Sequence, residues 1–383
     1  MSLKRVGVLG GGQLAAMMAS AAEALGISLV VQTPSFEKPA VAKADDVVIG
    51  AVDDAEVTAQ LARRCDVITF ENEFINLEGL MPLAKQGVCF RPSLESLAPL
   101  LDKYRQRCYL QELGLPVPRF TALEAGGEGE KISSLAKEAS WDFPVVVKAR
   151  RHGYDGQGTL IFKDQQALGK TWEDLGCPAM LLEEFVPFER ELAVIAARGA
   201  TGEIAVYPVV ETQQEDQVCH RVIAPAAISE SVNSQIEAIA HTFLSQLQAV
   251  GVFGIELFLT PAGEVLVNEI APRTHNSGHY TLDACETSQF EQQLRAVTGL
   301  PLGSPTLHCD GAVMVNLLGY EYAQHDYAAK REKLAQIPKA HLHWYGKTEP
   351  RPGRKLGHVT VLWEGQHSGA EAIADQISSL WYD

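Results

Sequence analysis

The chain has 383 residues, enough for two or three domains of about 100–200 residues each, and its 46% hydrophobic and 21% charged residues are the balance of a globular protein. A formal net charge of −16 argues against nucleic acid as a partner, because neutralising a phosphate backbone takes clustered Lys and Arg. Seven cysteines stand singly at 65, 89, 108, 177, 219, 285 and 309 with no CxxC pair, which reads as reduced thiols and offers no structural zinc spacing.

In chain order, the first ninety residues alternate short apolar runs with helical stretches. Val6 to Leu9 reads as a strand, and Gln13 to Leu25 as an Ala-rich helix stopped by Gly26. Ile27 to Gln32, Val47 to Gly50 and Val67 to Phe70 read as three more strands. Buried strands between helices predict a parallel, doubly wound sheet. Lys4-Arg5 before an apolar stretch has the outline of a signal peptide, but Gly10-Gly11-Gly12, Gln13 and Glu23 interrupt it. No run reaches the ~18 apolar residues of a membrane span, so the expectation is a cytoplasmic protein with no anchor.

Pro92 and Ser93 mark a boundary. Leu94 to Leu113 reads as mostly helical with a break near Pro99, and residues 126–130 as a flexible surface connection. From 144 to about 270 the pattern is α+β: Val-rich strands, a Gly-rich loop and a helix around 233–249. A Pro/Gly stretch at 299–305 precedes strands near 311–318, 341–345 and 357–363 and an amphipathic helix at 369–380.

Six segments carry the chemistry. Gly10-Gly11-Gly12-Gln13-Leu14-Ala15 fits a GxGxxA turn, which serves a dinucleotide, another ligand's phosphate at the helix N-terminus, or close helix–strand packing. A dinucleotide oxidoreductase calls for a carboxylate ending the second strand, where Val31-Gln32-Thr33-Pro34 has none. Lys148 ends a Val-rich strand and leads into His152-Gly153-Tyr154-Asp155-Gly156-Gln157-Gly158. A lysine followed by three glycines suits a polyphosphate, with a mobile hairpin as the alternative. Leu181 to Val186, with Glu191 further on, suits the edge of an adenine and its ribose, or a solvated edge strand.

Gly254 to Leu259, a turn at Thr260 to Gly263, and Glu264 to Ile270 read as a hairpin centred near Ala262. That register sets Glu256 opposite Asn268, with Glu269 beside it, so that two carboxylates and an amide converge among apolar neighbours. Such carboxylates repel and resist burial unless a hard cation joins them, which points to Mg2+ or Mn2+. The polar loop Pro272-Arg273-Thr274-His275-Asn276-Ser277-Gly278-His279 follows, in position for substrate groups. Finally, Lys347, Arg351, Arg354 and Lys355 cluster in an acidic chain, either as a basic surface turn or as a seat for a dianionic phosphate.

Together these segments resemble the ATP-grasp superfamily and, within it, the 5-(carboxyamino)imidazole ribonucleotide synthase family. The resemblance covers nearly the whole chain; its most specific parts are Asn268-Glu269 with Pro272 to His279, and the His341-Leu342-His343-Trp344-Tyr345-Gly346-Lys347 to Arg354-Lys355 run. It implies a pre-ATP-grasp domain at 1–93, an ATP-grasp domain at 94–300 with a lid at about 115–190, and a small β-rich C-terminal domain at 301–383. It implies a homodimer that uses ATP, Mg2+ (or Mn2+), bicarbonate and 5-aminoimidazole ribonucleotide. Carboxyphosphate forms first, and the amine captures its carboxyl group.

The resemblance also assigns roles by position. Lys103 and Lys148 contact ATP phosphates, and Gly153, Tyr154, Asp155, Gly156, Gln157 and Gly158 close over them. Glu183, Glu184, Phe185 and Val186 form the adenine hinge, with Glu191 on the ribose and Gln214 where relatives carry an ATP-contacting histidine. Glu256, Asn268 and Glu269 hold the metal. Asp155, Arg273, His275 and Lys355 form the catalytic set, and Gln13, Leu14, Asn276, Lys347 and Arg354 join them in binding the ribonucleotide. Gln157 replaces a basic residue common at its position, which weakens any role for that position in charging bicarbonate. The nearest rivals are a formate-dependent ribonucleotide transformylase and a biotin-type carboxylase; an oxidoreductase or a non-catalytic nucleotide sensor stands further off.

Overall fold

The computed structural model describes residues 4–126, 141–151, 153, 158–365 and 369–383. The N-terminal sheet contains β1 (Arg5–Leu9), β2 (Ser28–Thr33), β3 (Asp46–Ile49) and β4 (Val67–Phe70), all parallel in the order β3-β2-β1-β4. Its strands are apolar at successive positions because both faces are covered. Val6, Val8, Leu29 and Val31 pack with helix α1 (Gln13–Leu25) on one face. Leu9, Val30 and Val48 pack on the other with Leu61 of α2 (Ala55–Ala62) and Leu80 of α3 (Leu77–Lys85). Gly26 ends α1 in the left-handed conformation, at φ 63°.

Two short helices follow, α4 (Leu94–Leu97) and α5 (Lys103–Glu112), with the break falling between them. A separate antiparallel sheet holds β5 (Phe120–Leu123), β6 (Val145–Ala149), β7 (Thr159–Phe162) and β8 (Met180–Glu184) in the order β5-β8-β6-β7. Val145, Val147, Trp141, Leu168 and Trp172 give it a core of its own.

The largest sheet has nine strands. They are β9 (Arg190–Arg198), β10 (Ile204–Val206), β11 (Val210–Glu215), β12 (Val218–Ala224), β13 (Gly251–Leu259), β14 (Val265–Ala271), β15 (Gly311–Leu318), β16 (Ala340–Trp344) and β17 (Lys355–Trp363). Their order is β14-β13-β9-β11-β12-β15-β17-β16, with β10 on β9. The helix Glu230–Leu247 packs Ile236, Ile239 and Phe243 against Phe253, Ile255 and Leu257.

Two features differ from the sequence reading. The C-terminal strands extend the central sheet through the β12–β15 pairing, and the last helix covers them with Ile377 and Trp381. The helix Gln289–Thr298 lies inside the stretch expected as central domain, yet Phe290, Leu294 and Val297 join the core of α1. Its apolar stripe finds a match there, which ties the N-terminal sheet to the strands carrying the site. Among the described residues, no helix is long and apolar enough to cross a membrane.

Candidate active site

The site begins with a departure from the expected register. Glu256 pairs with Glu269 across the β13–β14 hairpin, while Leu257 pairs with Val267. Asn268 is therefore the extra residue of a β-bulge, not the partner of Glu256. A bulge interrupts the strict alternation of side chains along a strand. Here it lets two consecutive residues serve one side: Asn268 Oδ1 accepts from Lys148 Nζ at 2.9 Å, and Glu269 pairs with Lys103.

Glu191 on β9 lies opposite Phe258, two residues from the Ala193–Glu256 pair. Antiparallel pairing and period-two alternation put Glu191, Glu256 and Glu269 on one face. Their environments split their acidities. Burial, reinforced by Glu269, pushes the Glu256 carboxyl up to about 7, and burial pushes Glu191 up to about 7. Burial also presses on Glu269, but Lys103 outweighs it and holds that carboxyl below its usual range. Carboxyl and amide oxygens so placed are the donor set of a hard dication, and the charge of Mg2+ or Mn2+ would offset the repulsion that raises Glu256.

Asp102 and Arg107, absent from the expected set, brace the elements that carry the two lysines. Asp102 caps α5 by accepting from the N–H groups of Tyr104 and Arg105 at 3.0 and 3.1 Å. It also accepts from Arg150 Nε at 3.0 Å, and the Lys103 N–H donates to the Arg150 carbonyl at 2.8 Å. The start of α5 is thus fixed to the end of β6. Arg107, one turn beyond Lys103 and 2% exposed, donates to Glu183 and to the Asn268 carbonyl. Lys148 Nζ sits 2.6 Å from the other Glu183 oxygen. Burial pushes Glu183 up, but Lys148 and Arg107 outweigh it and hold the carboxyl at about 2. Burial holds Lys148 below the usual lysine range.

Glu183, expected in an adenine hinge, points its buried carboxylate at Lys148, and β8 is paired on both sides, not a solvated edge. Glu184 turns to accept the Arg119 N–H at 2.7 Å. Beyond it, half-exposed Phe185 and buried Val186 lead to Phe188, whose ring stacks on Phe258 at 4.8 Å. This apolar corner adjoins the carboxylate face and suits a planar base. Gln214 is half-buried on β11, two residues past Thr212, the partner of Glu191. Gly153 is half-buried and Gly158 adopts φ 83° beside Ala149; the calls on Tyr154, Asp155, Gly156 and Gln157 lie outside the described residues.

The Gly-rich turn is filled from within. The Gly12 N–H donates to Glu71 Oε2 at 2.7 Å, and the Leu14 and Ala15 N–H groups donate to Oε1 at 3.1 and 3.2 Å. A Cβ on Gly10 would stand 2.3 Å from Glu71 Oε2, so the glycines make room for this carboxylate. The backbone N–H of Leu14 is committed to Glu71, and Gln13 is half-buried at the start of α1. Two residues on, Glu73 accepts from Arg273 Nε at 3.0 Å, tying the N-terminal part to the polar loop.

In that loop, His275 Nε2 lies 3.4 Å from Glu256 Oε1, and Nδ1 is 2.9 Å from Ser277 Oγ. Gln289 clamps the His275 backbone, accepting from its N–H at 2.9 Å and donating to its carbonyl at 2.7 Å. A Cβ on Gly254 would come within 2.4 Å of the His275 Cβ, which is why β13 carries glycine there. Asn276 was expected on substrate; it is buried and exchanges two amide hydrogen bonds with Asn316 on β15, at 3.0 and 2.7 Å. It joins the loop to the C-terminal strands.

Of the basic run, Lys347 donates to the Lys355 carbonyl at 2.7 Å, and Lys355 lies close enough to depress His279 after burial has done most of that work. The Arg354 guanidinium closes its own turn on the carbonyls of Thr348 and Glu349, the latter at 2.7 Å. Arg107, Asp102, Glu71, Glu73 and Asn316 went unread in the sequence. Only Arg107 left a trace, the i,i+4 spacing from Lys103 that puts both on one helix face.

Three known domain families match the chain: the ribonucleotide synthetase preATP-grasp domain over residues 3–99, the ATP-grasp domain over 108–290, and the phosphoribosylaminoimidazole carboxylase C-terminal domain over 312–372. An N5-carboxyaminoimidazole ribonucleotide synthase of Synechococcus elongatus is 53% identical, covering 99% of this chain and 96% of that protein. Among solved structures, the carboxyaminoimidazole ribonucleotide synthase of Aspergillus clavatus complexed with ATP is 32% identical with a TM-score of 0.91, covering 99% of this chain and 98% of the other. The same enzyme with ADP and 5-aminoimidazole ribonucleotide is 31% identical with a TM-score of 0.89, covering 98% of each chain.

Proposed function

The chain belongs to the N5-carboxyaminoimidazole ribonucleotide synthase family of ATP-grasp ligases, and from that premise we propose how its own residues divide the work. The reaction is the ATP-dependent carboxylation of 5-aminoimidazole ribonucleotide to the N5-carboxyamino product, with ADP and phosphate formed, in purine biosynthesis. The observation that carries the assignment is the paired Glu256 and Glu269 facing Lys103 and Lys148.

In the proposed mechanism, Lys103 and Lys148 receive the triphosphate, exchanging their carboxylate and amide partners for phosphate oxygens. Glu256, Glu269 and Asn268 would hold Mg2+ (or Mn2+), which would supply positive charge to the transferring phosphoryl group. Phe185, Val186 and the Phe188–Phe258 corner take the adenine, with Glu191 toward the ribose. Arg273 and His275 stand beside the same carboxylates and orient bicarbonate. A bicarbonate oxygen attacks the γ-phosphorus as the bond to the ADP oxygen breaks, giving carboxyphosphate. The ribonucleotide amine then takes the carboxyl carbon, phosphate leaves, and the amine gives up a proton, with Asp155 as the proposed base. Lys347 and Lys355 face the ribonucleotide phosphate, and the acyl phosphate must be kept from water while the amine attacks.

The units 1–93, 94–300 and 301–383 are proposed as three domains that share this site, in a cytoplasmic homodimer. The deciding assay is ADP release with each substrate varied separately. Release that needs both bicarbonate and 5-aminoimidazole ribonucleotide supports the assignment; release driven by formate instead would replace it with a transformylase.

A further inference from the structure

We propose that Asp283, His343 and His358 form a second metal site, separate from the carboxylate hairpin and selective for a transition-metal dication of the zinc class. One ligand atom from each of the three lies within 4.8 Å of the others. They come from the four-residue helix Thr281–Ala284 behind the polar loop and from strands β16 and β17, where His343 and His358 are cross-strand partners.

The state of His358 carries the argument. Its ring is fully buried, and among the described residues its Nε2 has no hydrogen-bond partner. Its Nδ1 lies 2.7 Å from the Tyr345 hydroxyl. Metal binding at Nε2 selects the tautomer in which Nδ1 carries the proton and donates it to the Tyr345 oxygen, leaving the Nε2 lone pair for the ion. That is the outer-sphere arrangement which fixes tautomer and ring orientation in metal-binding histidines. A buried nitrogen without a partner is costly in a finished core, and a cation would supply the missing one.

The other two ligands are already close. His343 Nε2 lies 2.8 Å from Asp283 Oδ2, a contact that a metal would replace. The His343 and His358 rings stack at 4.5 Å with 13° between their planes. Sharing an ion requires one ring to turn out of that stack. His343, with 31% of its side chain exposed, is free to do so, while Tyr345 holds His358. Two imidazoles and one carboxylate suit Zn2+, Co2+ or Ni2+; Mg2+ prefers oxygen. His341 Nδ1, 3.6 Å from the other Asp283 oxygen, supplies a further nitrogen nearby.

The test is a Co2+ titration of the full-length, EDTA-treated protein, without ATP and with millimolar Mg2+ to fill the oxygen site. The expected result is one equivalent of Co2+ with the intense visible bands of a low-coordinate, nitrogen-ligated ion, displaced by Zn2+. His343→Ala and Asp283→Asn should abolish those bands, and Tyr345→Phe should weaken Co2+ binding by about 10–100-fold. Each variant is checked for a wild-type circular dichroism spectrum; if one fails to fold, the others decide. Absence of the bands in the wild-type protein overturns the proposal. So does a signal that survives both ligand variants, or one removed by Glu269→Gln and untouched by His343→Ala.

Discussion

Two places in this molecule look alike as sequence and differ as structures. The Gly10–Gly12 turn and the Lys148–Asn268–Glu269 region both have the outline of a phosphate site. At the turn the N–H groups of the helix end are answered by Glu71, a carboxylate of the same chain. In the central region the charges are answered incompletely: Glu256 and Glu191 are both pushed up to about 7, and Lys148 shares the Glu183 carboxylate with Arg107. A ligand gains most where the protein has not already satisfied its own charges. The first place is a finished joint, and the second is where chemistry is expected.

The contrast can be broken or sharpened by substitution. The largest effect is expected at the support beneath Lys148. Arg107→Met leaves the buried Glu183 with one cation fewer and should cost about 3–5 kcal/mol, read by urea unfolding. Next comes Glu269→Gln, which should lower bicarbonate-dependent ADP release by about 10²–10³-fold while the unfolding midpoint moves little. An unchanged rate would remove the metal role given to this residue. The turn should behave in the opposite way: Glu71→Ala leaves buried N–H groups without an acceptor and should cost about 1–3 kcal/mol of stability, with the KM for ATP unmoved. A selective loss of ATP affinity there would end the distinction.

The smallest effect is a pH dependence. Glu256 has its folded value raised from 4.5 to about 7, so the native state binds more protons than the unfolded state between those limits. Its contribution to stability is therefore present at low pH and lost as pH rises through that window. The Glu256 carboxyl must shed its proton to take Mg2+, so apparent Mg2+ affinity should strengthen by up to about tenfold per pH unit below 7 and then level off. Calorimetric titration at pH 5.5, 6.5 and 7.5 checks this; a flat profile would count against Glu256 as a ligand.

Much was legible in the chain. The Gln13–Leu25 helix and its Gly26 stop, the Val67–Phe70 strand, the break before α5 and the hairpin around Ala262 were all readable, because periodicity and turn chemistry are local properties. Lys148, Glu256 and Glu269 could be named for the same reason, from a strand end before glycines and from a hairpin, whereas Lys103, at the start of α5, was named only by the family resemblance. Tertiary structure alone decided how they meet. The bulge that puts Asn268 and Glu269 side by side shows in the sequence only as the three-residue step from Val267 to Ile270, which breaks the alternation without saying which residue is extra. Glu71 in the Gly turn, Arg107 under Glu183, and Asn316 against Asn276 pair residues 57, 76 and 40 positions apart. Those choices depend on which buried charge or amide lacks a partner once the sheets have packed, and burial is fixed by the whole fold, not by any one segment.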